Sequence, residues 1–238
     1  MYLAGSGVPA AATSPAQQPN ADALYAQRSD LAKARQAADL WEQQLRANGA
    51  DFNAAWKLAR AKFWLGGHAT PNERKTFLEA GIAAGRAAVA QQPNRPEGHF
   101  WIAANMGALA ESFGLRQGLK YRGDIRDELL IVLKLDPAFQ QGSADRALGR
   151  WFLKVPGLFG GSKKKSEEHL RRSLTYNQNS ISSRFFLAET LLEMDRKTEA
   201  LAELRRVGEL QPDPDWIPED QEFKTKAQRL LATLQQRR

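Results

Sequence analysis

Three histidines, an adjacent glutamate pair and a run of lysines behind two glycines are the residues of this chain whose types could carry chemistry. His68, His99 and His169 are scattered. They lack the i, i+4 spacing that sets two imidazoles on one helix face for zinc, so they read as packing or surface histidines. Glu167 and Glu168 are neighbours, and successive helical residues point to different sides, so they make a poor acid and base pair. No Gly-x-Ser-x-Gly elbow occurs. The absence of cysteine removes thiolate nucleophiles, disulfides and every cysteine-containing metal site. Catalysis would need distant residues assembled by the fold, and the reading is of a protein that is not an enzyme and needs no cofactor.

The lysine run is more informative. Gly160-Gly161-Ser162 precedes Lys163-Lys164-Lys165, but a P-loop requires a preceding strand and a four-residue gap before Gly-Lys-Ser/Thr, and both are missing. Ser162 suits a helix N-cap, which places the lysines in a first turn where the macrodipole disfavours cations. Glu167 and Glu168 offset this only in part. Backbone amides after the glycines together with Lys163, Lys164 and Lys165 could hold an anion, a carboxylate or a phosphate. Leu158 and Phe159 add apolar area beside them. Arg116, Lys120 and Arg122, near Phe113, Leu115 and Leu119, form a second mixed cluster, and Arg150 and Lys154 flank Trp151. These ten polar and apolar positions from Arg116 to Lys165 are the candidate ligand- or partner-binding residues. The alternative is that both clusters merely lengthen helices and tuck their apolar side chains inward.

The elements that must position them are helices. Alanine, leucine, glutamine, arginine and lysine dominate and β-branched residues are sparse, a composition that loses little rotamer freedom in a helix. Leu24, Leu31, Ala34, Ala38, Trp41 and Leu45 fall on one stripe of a leading helix over 21–48, ended by Asn48-Gly49. The chain then repeats imperfectly. Trp56, Trp101 and Trp151 stand early in successive units, a slot that favours packing. Pro93, Pro137, Gln178 and Pro212 follow at separations of 44, 41 and 34 residues. The last interval is the period of a tetratricopeptide (TPR) unit, a helix-turn-helix whose proline stops its second helix.

This spacing predicts an all-α, TPR-like superhelix with pairs over 52–92, 96–136, 141–177 and 181–211 and a capping helix after Pro218. Residues 1–20, rich in Ala, Gly, Ser, Pro and Gln, read as a flexible segment ahead of a single domain over 21–238. In the second helices Ile125, Leu129 and Val132 align with Ser166, Leu170 and Ser173, the serines being weak members of an apolar stripe. Glycine and proline clusters at 66–71, 114–123 and 156–162 all fall between the two helices of a pair. They are expected to emerge as inserts along one edge of the stack, a common place for binding.

The 34 Lys and Arg against 27 Asp and Glu give a net charge of +7 and attract acidic partners. That charge and the stackable aromatics make a helical-repeat nucleic-acid binder the alternative function. It requires cations aligned on one inner face, whereas acids are interleaved here, and nucleic acid is therefore not the expected partner. No run of 18 apolar residues is present to span a membrane. The first residues have neither the basic start nor the apolar stretch of a signal peptide.

The stretch from Ala147 through Arg150, Trp151, Lys154, Pro156-Gly157-Leu158-Phe159-Gly160-Gly161-Ser162 and the lysines to Leu174 resembles the TatT family, the T-component of some bacterial tripartite ATP-independent periplasmic (TRAP) transporters. The likeness is greatest over 147–192 and thin before residue 96. A lesser likeness extends to eukaryotic regulators of microtubule dynamics, which share a related helical-repeat region. The resemblance implies a TPR-like adaptor of the bacterial envelope, periplasmic and often a lipoprotein. Such a protein associates with a substrate-binding protein and carries a hydrophobic or amphiphilic small molecule. A lipid anchor would require a lipobox cysteine, which this sequence lacks.

Overall fold

The computed structural model describes residues 20–236, all in helices and the turns between them. Asn20 caps α1 (Ala21–Ala26), its carboxamide oxygen accepting from the Asp22 amide at 2.9 Å. Asp30 does the same for α2 (Leu31–Ala47) through the Ala32 amide. The expected single helix over 21–48 is thus two. Asp30 offers its own carboxylate to the amide two residues on, an alternative to the continuing helix ladder that restarts the helix at Leu31.

Four antiparallel pairs follow, within the expected limits except that α7 begins at Phe139, two residues before the expected 141. They are α3 (Phe52–His68) with α4 (Pro71–Gln91), α5 (Pro96–Ser112) with α6 (Leu115–Leu135), α7 (Phe139–Lys154) with α8 (Lys163–Tyr176), and α9 (Ile181–Glu193) with α10 (Lys197–Glu209). The helix α11 (Ile217–Gln236) closes the series. Pro71 and Pro96 sit in first turns, where the missing amide costs nothing. The Glu73 carboxylate accepts from the Thr70 amide and hydroxyl at the start of α4.

Two of the three expected inserts are not inserts. Gly66 and Gly67 lie inside α3, and Gly118 and Gly123 lie inside α6, so the residues beyond a 34-residue unit lengthen helices. An interior glycine costs roughly 1 kcal/mol against alanine, a penalty that burial along a long helix readily exceeds. Gly66 also has a packing reason, since a Cβ there would stand 2.5 Å from Leu78 Cδ2. Only 155–162 is a true inserted loop. It contains a 3-10 turn at Gly157–Phe159 and turns back at Gly160 with φ of 102°.

The apolar core has two main parts besides a small cluster of Phe52, Ala55 and Ala88. One part runs from Ala21 to Trp151 and the other from Leu170 to Ala227. Within the second part α8 meets α9 partly through hydroxyl groups. Ser166 Oγ meets Thr190 Oγ1 at 2.8 Å and Ser173 Oγ meets Ser183 Oγ at 2.7 Å, all four side chains buried. The two serines that fit an apolar stripe poorly therefore fit a hydrogen-bonded one. Gly149 lets α7 press against Leu170, whose Cγ would lie 2.5 Å from an added Cβ.

Candidate functional site

A cavity of about 750 Å³ opens on the inner face, between α5, α6 and α7 and the start of α11. Its volume falls in the range of pockets that bury small ligands. Along α5 the cavity face is Phe100, Ala104, Gly107, Ala108 and Glu111, residues at helical spacing. The small members create the space: a Cβ on Gly107 would meet nothing within 4 Å. The opposing stripe on α7 is Ser143, Arg146, Ala147, Arg150, Trp151 and Lys154. Ile125 and Leu129 from α6, with Trp216 and Phe223 from the C-terminal segment, complete a largely apolar wall.

Polar side chains hold the C-terminal segment across this face. Arg28 Nε donates to Glu219 Oε1 at 2.8 Å, Nη2 donates to the other carboxylate oxygen, and Nη2 also reaches the Asp215 carbonyl at 3.0 Å. The Arg28 carbonyl in turn accepts from the Trp64 indole at 2.8 Å. Burial alone would lower the Arg28 pKa, but the Glu219 carboxylate reverses that and raises it. Beside this pair His68 Nε2 lies 2.5 Å from Glu222 Oε1, with its ring stacked on Trp64 at 3.7 Å.

One end of the cavity is lined by a strained turn. Gln140, Gln141 and Gly142 all have positive φ, at 44°, 59° and 76°, a left-handed run that costs about 1–2 kcal/mol for each non-glycine residue. Gln141 offsets this by donating to Asp213 Oδ2 at 3.0 Å and accepting from the Asn177 carboxamide. The Asp213 amide donates to Asp220 Oδ2 at 2.9 Å. Trp101 Nε1 and Gln140 Oε1, on two cavity-lining residues, are buried without a partner among the described residues.

Of the cations on the cavity wall, Arg150 is fully engaged. It holds Glu111 through two bonds of 2.6 and 2.7 Å and Glu189 at 3.1 Å, and lies 4.6 Å from the Phe186 ring centroid. Arg122 donates to the Leu119 carbonyl and stands 5.4 Å from the Phe159 centroid. Arg146 differs, for it makes no hydrogen bond or ion pair among the described residues. It is enclosed by protein yet keeps surface on the open cavity. Burial pushes its guanidinium down to about 10, with Asp220 opposing the shift from beyond ion-pair distance. It is still charged at neutral pH.

The residues expected from sequence divide accordingly. Arg122, Arg150 and Lys154 line the cavity, while Lys120, Leu158, Phe159, Lys163, Lys164 and Lys165 do not. Leu158, 89% exposed, and Phe159 stand on the inserted loop, whose neighbours Val155 and Pro156 line the cavity. Arg116 is backbone of α6, and its side chain lies outside the described residues. The anion nest expected at Gly160-Gly161 is closed. The amides of Gly160, Gly161 and Ser162 donate to the Gly157, Pro156 and Phe152 carbonyls, because the loop folds back on the end of α7. Lys163 pairs with Glu193 at 3.3 Å, and Lys165 lies 5.5 Å from the Phe152 ring centroid.

The loop after α7 meets α6, where Arg122 covers Phe159. The turn after α3 is tied instead to α11 through His68. The histidines stay apart: His99 bonds Glu128 and the Pro93 carbonyl, and His169 bonds the buried Asp145 at 2.6 Å. Arg146 is the residue that the sequence reading passed over. Its signal was present, since Arg146, Arg150 and Lys154 recur every four residues beside Trp151 and share one helix face. The cavity wall carries four cations, Arg122, Arg146, Arg150 and Lys154, against the carboxylates of Glu111, Asp213, Glu219 and Asp220. That balance is not the continuous basic face of a nucleic-acid binder.

Two family models match the chain. One, described as regulator of microtubule dynamics protein 1-3, matches residues 19–167, and the other, TRAP transporter T-component, matches residues 99–237. Their shared span holds nearly all of α5 and the whole of α6 and α7, the helices around the cavity. Among solved structures the chain is similar to TTC0263, a thermophilic TPR protein of Thermus thermophilus. The identity is 22%, the TM-score 0.66, and the alignment covers 89% of this chain and 95% of that one. Two structures of MamA are similar at 12% and 13% identity with TM-scores of 0.51 and 0.50, covering 84% and 87% of this chain and 95% and 92% of theirs. At these identities the likeness establishes the fold. No curated protein matches the chain.

Proposed function

The chain belongs to the TRAP transporter T-component family, and on that premise we propose that it is a non-catalytic binding protein of the bacterial envelope. It holds a small amphiphilic molecule in the cavity of its inner face and docks a partner protein, the periplasmic substrate-binding protein of a TRAP system. The observation that carries the reading is the cavity itself: about 750 Å³ of largely apolar space, left open by Ala104, Gly107 and Ala108. Empty apolar space forfeits packing energy, and an apolar occupant recovers it. No helix among the described residues is long and apolar enough to cross a membrane, which suits a periplasmic placement, with or without a lipid anchor.

The partner surface in this reading is the cavity rim, where Lys120, Arg122, Lys154, Leu158 and Phe159 combine apolar area with positive charge. Arg116 belongs to it by position, and Lys163, Lys164 and Lys165 extend it. An exposed leucine and phenylalanine bordered by cations fit a partner with an acidic, partly apolar face.

Ligand binding is tested by stripping the purified chain of bound lipid and titrating it with long-chain amphiphiles of different headgroups. Emission from Trp101, Trp151 and Trp216, which line the cavity, reports occupancy. Saturable one-to-one binding is expected, and failure of every amphiphile to saturate would overturn the reading. Docking is tested by size-exclusion chromatography with a TRAP substrate-binding protein. Co-elution that Leu158→Asp abolishes is the expected result, and separate elution of the wild-type mixture would refute it.

A further inference from the structure

We propose that Arg146 is the headgroup anchor of the cavity and that the amphiphile held there is an anion, a long-chain carboxylate. The proposal rests on the cavity reading above and names its ligand class. Its basis is that the other charged groups on the cavity wall near Arg146 are committed. Glu111 holds Arg150, Glu219 holds Arg28, Asp213 accepts from Gln141, and Asp220 accepts from the Asp213 amide. Arg146 and Lys154 line the cavity without a hydrogen-bonded or ion-pair partner among the described residues, but Lys154 is exposed to water, whereas Arg146 is enclosed by protein and faces the open space within an apolar wall.

An arginine in low-dielectric surroundings without a counter-ion is costly. Asp220 compensates only from beyond ion-pair distance, and its carboxyl is itself pushed up by burial. A carboxylate entering the cavity would supply what is missing. The guanidinium fork matches a carboxylate with two parallel bonds, a geometry that lysine lacks. The same molecule would lay its hydrocarbon along Ile125, Leu129 and Phe223, where a charged head would be left without partners. The cavity then combines one unpaired, enclosed cation with an apolar wall, a pairing suited to one class of molecule.

The test compares three probes that share one tail: hexadecanoate, hexadecanol and hexadecyltrimethylammonium. Each is titrated into the lipid-stripped full chain, with tryptophan emission as readout. Wild type is expected to bind the carboxylate about tenfold or more tighter than the alcohol, the effect of one charge-assisted hydrogen-bonded contact, and to bind the cation most weakly. Arg146→Gln should bring the carboxylate down to the alcohol while leaving the alcohol unchanged. Arg146→Lys should keep part of the preference. Asp220→Asn, which removes the competing carboxylate, should increase it and provides a second reading if Arg146→Gln fails to fold.

An unchanged carboxylate-to-alcohol ratio in Arg146→Gln, or in Asp220→Asn should Arg146→Gln not fold, would overturn the anchor and leave the cavity reading standing. So would equal binding of all three probes by wild type. Failure of wild type to bind any probe would overturn both. Gly107→Leu should abolish binding of all three alike, which separates a filled cavity from a lost anchor.

Discussion

Arg28 and Glu219, 191 positions apart, form a two-point guanidinium–carboxylate pair that fastens the C-terminal segment across the inner face of the superhelix. An open TPR array would leave that face to solvent; here the pair, seconded by His68 and Glu222, turns a groove into a cavity. The Arg28 side chain is only 6% exposed, so its charge depends on Glu219 for compensation.

Glu219→Gln should therefore destabilise the protein by about 3 kcal/mol, since it leaves a buried arginine without its counter-ion. A urea denaturation midpoint lowered at unchanged slope is the expected observation. Exposed Lys163→Ala, which removes only a surface pair, should change stability by less than about 1 kcal/mol. Equal midpoints for wild type and Glu219→Gln would mean that the pair does not fasten the fold.

The second fastening is expected to depend on pH. Burial alone would lower the His68 pKa, but the bonds to Glu222 and to the Trp64 carbonyl outweigh it and raise the value above the ordinary 6.5. The bond to His68 lowers Glu222 below 4.5. A raised histidine contributes stability that is full below its unfolded pKa and is lost as pH rises through its folded one; a lowered glutamate loses its contribution as pH falls through its folded value. Both terms describe one pair, so the stabilisation is largest between 4.5 and 6.5 and declines on either side. Comparing wild type with His68→Gln at about pH 5.5 and about pH 8.5 should show the larger stability difference at the lower pH. A difference that grows with pH would contradict this.

Two helical glycines should respond oppositely to enlargement. Gly107→Leu points into empty cavity and exchanges glycine for a good helix former, so the thermal midpoint should hold or rise by the equivalent of about 0.5–1 kcal/mol. Gly81→Ala would place a Cβ 2.2 Å from Oδ1 of the buried Asn105. That side chain donates to the Ala59 and Trp101 carbonyls and has little freedom to retreat. The expected cost is about 1–3 kcal/mol, read from the same melting curves.

The buried hydroxyl pair between α8 and α9 should behave as a unit. Ser166→Ala removes a partner from Thr190, which still donates to the Phe186 carbonyl at 2.9 Å, so the loss should be about 1 kcal/mol. Replacing both, with Ser166→Ala and Thr190→Val, should cost less than the sum of the single changes. A double-mutant cycle by urea denaturation measures the coupling, and strict additivity would show that the pair contributes nothing of its own.

Helix pairing was legible in the sequence because its signals are local. Proline in a first turn, Ser162 at a cap and apolar residues at helical spacing act within a few residues, so the limits of all four pairs could be read from one string of letters. The break at Asp30 was missed for the converse reason, since a capping side chain outweighed an apolar stripe that runs on through it. Gly66 was misread because a glycine that loosens a turn and one that admits a neighbour look alike until Leu78 is in view. Gly67, Gly118 and Gly123, which meet no neighbour, were misread because a glycine in a long helix carries the same letter as one in a turn. That Arg150 would be engaged and Arg146 left enclosed without a partner was beyond any such reading. Glu111 and Glu189, which engage Arg150, come from other helices, and Asp213 and Asp220 from the segment that Arg28 holds in place. Sequence determined the helices and the faces they present, for those follow from nearest neighbours along the chain. The cavity and the charge left over within it were decided only when residues far apart in sequence were brought within bonding distance.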